Sequence, residues 1–518
     1  MQITAIGHAG FWVNCGTDKI LCDPWVSLAG AYAASWFPFP SNEHLDLGQF
    51  ETATHLYISH WHRDHLDQEF LTSRSPEFKQ RVQVITGQFY APKLRDWLSD
   101  WGYPNLVELA NNTEITTPNG TRLYLQTDEN PSFADSALTI ASQGQVFLNT
   151  NDCKLSIQQE LDLVARFGPI QVMAAQFSGA TFHPTCFDYP SEKQRAISSQ
   201  RRAHKYRRIL ESLGRLQVQV YLPSAGPACF LSADLAHLNL NPDTIFAVPN
   251  DFDAWLREQP SQPAAKFVLL CPGDSWQTET GTLQRGSDLI DHYQTPAYLS
   301  QLAAQRQPAI AAELAKYQRP IGDILSDAQA HFRELLANVP TLAKLANAAL
   351  IIHLTGEAGG QFVVYLPTGE ILTELPNLPP EQLPQRYTIT LSTFWMRALV
   401  DRLISWEDFV LSFRLLIHAE PDIFNEPVAA FLQLESQAER EAFVHLLLQN
   451  SKQTPVRIQR QHNGQLLEYD RFCPHNGEDL ANAPIENGEI ICLRHFWRFG
   501  ITDGQGSNNK CSLHVKVV

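Results

Sequence analysis

A chain that spaces its ligands as C-x-H and then C-x-x-H has little freedom in how it folds around them. Here Cys473 and His475 lie in CPHNGEDL, Cys492 and His495 lie in CLRH, and sixteen residues separate the two pairs. Each loop offers one sulfur and one nitrogen, so two loops have to meet at their tips. Two thiolates can hold one iron of a [2Fe-2S] cluster and two neutral imidazoles the other. Structural zinc bound by Cys2His2 uses the same ligand types, but has no need of this long matched-loop geometry. Pro474 stiffens the first loop, and Gly477 permits a tight turn or close backbone approach. A cluster of this kind moves one electron at a time, so the chain is expected to deliver electrons.

The flanking sequence is short-stranded. VRIQRQHNGQLLEYD reads as a hairpin turning at Asn463-Gly464, and SLHVKVV as a final strand. Across residues 451–518, CPHNGEDL and CLRHFWRFGITDG resemble the loops of the Rieske family. The resemblance implies a small all-β domain. High-potential members carry an extra cysteine in each loop, joined as a disulfide. These loops have none, which implies the lower-potential kind found in oxygenases and their ferredoxins. Cys511 lies outside both loops and reads as a small apolar filler.

A second ligand-rich segment is SHWHRDHLD, which supplies His60, His62, Asp64 and His65 directly after an apolar strand. Alternate residues of an extended segment point the same way, so His60 and His62 are expected to grip one metal. Asp64 and His65, at a turn, are expected to address a second metal beside it. Asp23 in LCDP and Asp152 in LNTNDC lie at expected strand ends, and Asp152 is the better placed to bridge two cations and offset their repulsion.

HWHRDH resembles the H-x-H-x-D-H motif of the metallo-β-lactamase superfamily. The resemblance implies an αββα sandwich with two metals at one edge. It gives the first metal to His60 and His62, the second to Asp64 and His65, and the bridge to Asp152. GHAGFW, with His8, is similar to the N-terminal strand of the divergent branch of that superfamily. Asn130 stands where the family supplies a third first-metal histidine, so Asn130, His8, Asp128, Asp135 or His183 is left to complete that site. The late strand ends in PSAGPACF, without the family's last second-metal histidine.

The 518 residues suggest about three domains. Residues 1–290 alternate short apolar strands, loops and a few helices, the texture of an α/β metal-binding domain. Residues 291–450 read as a mixed, mainly helical middle domain, with TLAKLANAALIIHL and STFWMRALVDRLISWEDFVLSFRLLIH both expected as helix. Residues 451–518 form the third domain. Within the first, SEKQRAISSQRRAHKYRRILESLG has helical spacing and a glycine stop. Its basic run includes Lys193, Arg195, Arg201, Arg202, Lys205, Arg207 and Arg208. Arg201 and Arg202 are candidates to meet a phosphate or carboxylate of a substrate, and a solvated helix face explains the same run.

Lys and Arg total 39 against 55 Asp and Glu, a net charge of -16. That balance argues against nucleic acid as the main partner. No segment approaches eighteen uninterrupted apolar residues, so no membrane span is expected. Nine scattered cysteines fit a reducing cytoplasm better than a disulfide framework. There is no G-x-G-x-x-G loop, so electrons are expected from a separate ferredoxin or NAD(P)H-dependent reductase.

A redox cluster joined to a metal-rich sandwich favours iron in the second site, because zinc cannot accept an electron. The expected function is an iron-dependent monooxygenase or hydroxylase fed by the cluster. A zinc hydrolase with an accessory electron-transfer domain, and a redox carrier or sensor, are the alternatives. YISHWHRDHLD, FLNTNDC, MAAQFSGATFHPTCF and PSAGPACF together resemble the CMP-N-acetylneuraminate hydroxylase family and its bacterial relatives. That resemblance implies a small anionic or nucleotide-sugar substrate. A homo-oligomer is a further expectation, as one way to bring the two sites together.

Overall fold

The computed structural model describes residues 1–129, 134–259, 264–379, 382, 384–422, 424–434, 436–450, 456–474, 480–481, 483–492, 497–506 and 511–518. The chain divides into two compact units. The first comprises Met1–Thr185, Tyr189–Lys316 and Leu411–Phe413, and the second comprises the remaining residues.

The first unit carries two mixed sheets. One has eight strands in the order β15-β14-β1-β2-β3-β4-β5-β6, with β1 (Gln2–Gly7), β2 (Gly10–Cys15), β3 (Asp18–Cys22), β4 (His55–Tyr57), β5 (Gln83–Gly87), β6 (Leu106–Leu109), β14 (Ser275–Gln277) and β15 (Thr282–Gln284). The other has seven, in the order β13-β12-β11-β10-β9-β8-β7. These are β7 (Thr113–Thr116), β8 (Arg122–Thr127), β9 (Ser136–Ser142), β10 (Gln145–Asn149), β11 (Val172–Gln176), β12 (Val220–Ser224) and β13 (Lys266–Phe267).

Strand side chains alternate between the two faces of a sheet, and here both faces are apolar. Phe11, Val13, Ile20, Tyr57 and Ile85 of the first sheet meet Leu138, Ile140, Phe147, Val172 and Leu222 of the second in one buried core. Each such side chain contributes about 2 kcal/mol by leaving water. The outer face of the first sheet, with Leu21, Leu56 and Val84, is covered by Phe70, Leu71, Phe78, Leu94 and Leu98. Those residues come from α1 (Gln68–Thr72), α2 (Pro76–Arg81) and α3 (Lys93–Asp100). The outer face of the second sheet, with Val146, Leu148, Met173 and Tyr221, packs on α4 (Ile157–Phe167), α5 (Ser191–Arg215) and α6 (Pro249–Arg257) through Leu163, Tyr206, Ile209, Leu213 and Phe252. The layering is αββα, as the resemblance implies.

The unit continues through α7 (Pro296–Ala315), whose Leu299, Leu302 and Ile310 pack with Phe37, Phe39 and Tyr293. The sequence-based boundary at 290/291 therefore falls before a helix that packs with the sandwich unit. Gly214 does not stop α5, which runs on to Arg215. A helix tolerates one glycine at a cost of about 1 kcal/mol when its apolar face is as well buried as this one.

In the second unit, the stretch expected to be mixed and mainly helical, with strands in GGQFVVYLPTGEILTEL and QRYTITLS, holds a five-stranded sheet, β18-β17-β16-β19-β20, as well as helices. Its strands are β16 (Ala348–Thr355), β17 (Gly360–Tyr365), β18 (Glu370–Leu372), β19 (Gln385–Ser392) and β20 (Leu416–Glu420). TLAKLANAALIIHL is not one helix. Pro340–Ala346 is helical, Asn347 ends the helix in the left-handed region (φ 43°), and β16 begins at Ala348. Likewise the residues after Thr393–Val400 and Trp406–Leu411 turn into β20. In both places a short apolar run fits either state, and pairing with a neighbouring strand decides it.

Toward the C-terminus, β21 (Arg457–His462) and β22 (Gln465–Asp470) form the expected hairpin, and both Asn463 and Gly464 have positive φ. β26 (Val515–Val517) completes that sheet, while β23 (Ile485–Glu486), β24 (Glu489–Ile491) and β25 (Arg498–Gly500) form another.

Candidate metal centres

β4 ends at Tyr57, so His60 and His62 lie in the loop that follows rather than on an extended strand. The two rings nevertheless converge, with His60 Nε2 2.9 Å from His62 Nδ1, and the chain turns only after His62, whose carbonyl accepts from His65 N and Leu66 N. Asp67 fixes this loop. Its carboxylate accepts from Val26 N and Ser27 N, both at 2.8 Å, and caps α1 through Phe70 N at 2.9 Å.

Two three-residue groups have ligand atoms close enough to share an ion: His8, Asp64 and His65, and His60, His65 and Asp152. His65 belongs to both. Its Nε2 lies 3.8 Å from Asp64 Oδ2 and 3.6 Å from Asp152 Oδ1, too far for a hydrogen bond, and this buried nitrogen has no hydrogen-bond partner. A cation among these atoms would satisfy all three, so the donor set fits a metal. His8 joins through Nε2, 2.9 Å from Asp64 Oδ2. Asp135 stands 4.0 Å from His60 Nε2. His183 bonds Tyr189 Oη at 3.1 Å, and the backbone N–H of Asp128 bonds Asp135 O. Asn130 lies outside the described residues.

The electrostatics suit this role. Burial, then the nearby His65 and His62, hold His60 well below the usual histidine range, which keeps its lone pair available. Burial acts to raise Asp64, but His65 and the His8 hydrogen bond outweigh it and hold the carboxyl well below its usual range. Burial also acts against charge on His65; Asp64, Asp152 and Asp23 prevail and raise it to about 10. A proton is retained there because three carboxylates face one ring.

Several contacts of this site were not apparent in the sequence, including the part played by Asp23. Asp23 accepts from Ser59 N at 2.8 Å and Ser59 Oγ at 2.6 Å, and its Oδ2 lies 3.0 Å from His65 Nδ1. It holds the ring of His65, and it belongs to neither ligand group. Tyr32 Oη donates to Asp64 Oδ1 at 2.6 Å. Gln176 Nε2 donates to Asp152 Oδ1 at 2.6 Å, and Lys205 Nζ donates to Gln176 Oε1 and, at 2.7 Å, to Ser178 O. Lys205 was read only as one member of a basic run. Arg202 of the same helix donates to the carbonyls of Pro242 and Thr244, and Arg201 is among the charges that depress His183.

Backbone strain concentrates around the same residues. His8, Asp23 and Asn151 have φ of 51°, 36° and 50°, and Tyr32, Ala33 and Ala34 form a left-handed turn at 52°, 54° and 56°. Each non-glycine residue in that region costs about 1 kcal/mol or more, and such residues gather where function over-determines the backbone.

The second set of ligands is partly described. Cys473 and Cys492 are both buried, in a core with Leu467, Tyr469, Leu480, Ile490, Trp497, Phe499 and Leu513. Cys492 N donates to Trp497 O at 2.7 Å, which ties the second loop to its returning strand. Cys511 packs on this core, and burial raises its thiol to about 11, in keeping with a filler. His475 and His495 lie outside the described residues. Two buried thiols brought into one core from successive loops fit one iron of a two-iron cluster.

The family model for the Rieske [2Fe-2S] domain matches residues 440–518. This part of the chain is a Rieske domain. Two relatives extend the likeness beyond it. A Mycobacterium tuberculosis protein named as a Rieske 2Fe-2S iron–sulfur protein is 27% identical over 98% of this chain and 97% of its own length. The cytidine monophosphate-N-acetylneuraminic acid hydroxylase of Danio rerio is 21% identical over 86% of this chain and 74% of its own length. Among solved structures, an isothiocyanate hydrolase from Delia radicum gut bacteria is similar over 54% of this chain and 99% of that one, at 14% identity and a TM-score of 0.37. The two-sheet unit has the metallo-β-lactamase fold, with its helices on both outer faces. No described helix is long and apolar enough to cross a membrane.

Proposed function

We propose that this chain is an iron-dependent oxidoreductase, an O2-using monooxygenase or hydroxylase. In this reading the Rieske domain passes electrons to a mono- or dinuclear iron site held by His60, His62, Asp64, His65 and Asp152, with His8 as a further donor. One observation carries it: a one-electron cluster domain shares a chain with an enclosed histidine–aspartate set in which two ligand groups converge on His65. When bound, iron would supply O2 binding and a change of oxidation state that zinc does not offer.

The chain's own residues supply the rest. His60 presents a neutral nitrogen, and Asp64 and Asp152 present negative oxygens. Asp23 holds the His65 ring, and Tyr32 holds the oxygen of Asp64 that Oδ2 leaves free. His60, Asp64 and His65 are no more than 3% exposed, whereas the side chains of Asp135 and Asp152 are 21% and 17% exposed. Substrate and O2 therefore approach from the Asp135–Asp152 side, and the buried side excludes water. A small anionic substrate rests on the family resemblance, because Arg202 and Lys205 of α5 are engaged by backbone carbonyls and Gln176. A nucleotide sugar is the first to try, given the Danio rerio relative. A separate ferredoxin or NAD(P)H-dependent reductase supplies the electrons.

The test is to load the purified protein with iron or with zinc, add CMP-N-acetylneuraminate or related anionic sugars and a reduced ferredoxin, and follow O2 uptake with product hydroxylation. Iron-dependent, substrate-coupled O2 uptake is expected. Full activity with zinc alone would make the chain a hydrolase, because the same donors also suit that ion. A sandwich that takes up no metal would leave a redox carrier or sensor.

A further inference from the structure

We infer that Lys205, acting through the side-chain amide of Gln176, is a positioning residue for the Asp152 carboxylate and for the metal that Asp152 would hold. The inference rests on the proposed metal site, but not on which metal fills it. Its basis is a three-member chain of side chains, Lys205 to Gln176 to Asp152, with each link a donor meeting an acceptor.

The amide of glutamine can face either way, and its sense decides what Asp152 meets. An ammonium group only donates, so Lys205 requires Gln176 Oε1 toward itself. That leaves Nε2 toward Asp152, where it donates at 2.6 Å to Oδ1, the oxygen that stands 3.6 Å from His65 Nε2. The opposite sense would set a carbonyl against a carboxylate. Lys205 is itself anchored at 2.7 Å to Ser178 O, just past β11, so its position does not depend on Gln176 alone. A cation one amide away also polarises that amide and strengthens its N–H as a donor.

The surroundings show where this charge is directed. Of the charged groups that act on Lys205, Lys154, Arg201 and Arg208 share its sign and Asp152 opposes it. Both its contacts are neutral oxygens. Burial is the main influence on Lys205 and, with those like charges, lowers it to about 7, against the pull of Asp152. An amino group buried in so unfavourable a setting, 29 positions along the chain from Gln176, points to a role beyond solvation of the α5 face.

The experiment measures metal affinity in the full-length protein by competition with a chelator, for iron and zinc separately, in wild type, Lys205→Met, Lys205→Arg and Gln176→Glu. Absorbance of the Rieske cluster and the thermal midpoint report folding. Lys205→Met is expected to weaken metal binding at the sandwich by about tenfold, the low end of the roughly ten- to hundredfold cost of losing a direct partner of a ligand, because Lys205 acts through Gln176. Lys205→Arg is expected to stay within a few-fold of wild type. Gln176→Glu keeps a partner for the lysine but turns a donor into an acceptor at Asp152; it is expected to weaken binding even where Lys205→Met proves unstable. Wild-type affinity for both metals in Lys205→Met, or in a folded Gln176→Glu, would overturn the inference and leave the proposed function standing. A wild-type sandwich that binds neither metal would overturn both.

Discussion

The sandwich site draws on His8, Asp23, Tyr32, the loop 60–65, Asp152, Gln176 and Lys205, whereas the four expected cluster ligands fall between Cys473 and His495. In the sandwich, the candidate ligands from the loops after β1, β4 and β10 meet only because two sheets close on one another, and each leans on a neighbour. Asp23 holds His65, Tyr32 and His8 hold Asp64, and Gln176 holds Asp152. In the Rieske domain two short loops suffice, and the thiols sit in a small core of their own. The first kind of site fails by losing distant supports. The second fails by losing a ligand.

The largest effect is expected from Cys492→Ser. It should abolish the cluster's visible absorbance and its electron paramagnetic resonance signal, while the sandwich keeps its metal as judged by elemental analysis. Loss of sandwich metal as well would break the claim that the two sites load independently. His65→Ala tests the other side. Because His65 belongs to both ligand groups, most of the sandwich metal should be lost while the cluster absorbance stays. Retention of half the metal would show that one group holds an ion without this ring.

Asp23→Asn is expected to reduce sandwich metal affinity about ten- to a hundredfold, since it loosens the orientation of His65 without removing a ligand. Chelator competition would check it. A pH series sharpens the comparison further. In the metal-free protein His65 is raised to about 10, above its unfolded value, so the stability it contributes is complete below about 6.5 and is lost as pH rises through 10. The thermal midpoint of the metal-free form should fall by several degrees over that window. A bound metal replaces the proton, so the loaded form should lose this slope. The smallest effect is expected from Tyr32→Phe, which removes one hydrogen bond and about 1 kcal/mol, roughly a fivefold loss of metal affinity.

The legible and illegible parts of this molecule divide along the same line. The cluster loops could be read because ligand spacing is local. HWHRDH could be read for the same reason, although His60 and His62 lie in the loop beyond β4. Short apolar runs such as ITAIG and SALTIAS placed the strands of the sandwich, because both faces of each sheet are buried. Asp23 was noticed only as a second-choice ligand, and Gln176, Tyr32 and the individual role of Lys205 were not seen. The segment around Gln176 was noticed only as part of a family resemblance, and nothing in it shows what Gln176 contacts; its partners lie 24 and 29 positions away. The left-handed turn at Tyr32–Ala34 was equally hidden, since AYAA carries no glycine to announce positive φ. In the middle region, LIIHL and LLIH were read as helix because a short apolar run carries no period of its own.

Strand β1 pairs with β2 on one side and with β14 on the other. On the ribosome, therefore, His8, the 60–65 loop and Asp152 have all been made well before Ser275–Gln277 emerge to close the sheet beside β1. At ordinary elongation speeds that interval lasts on the order of ten seconds. Throughout it the nascent chain carries these side chains with one flank of β1 still bare.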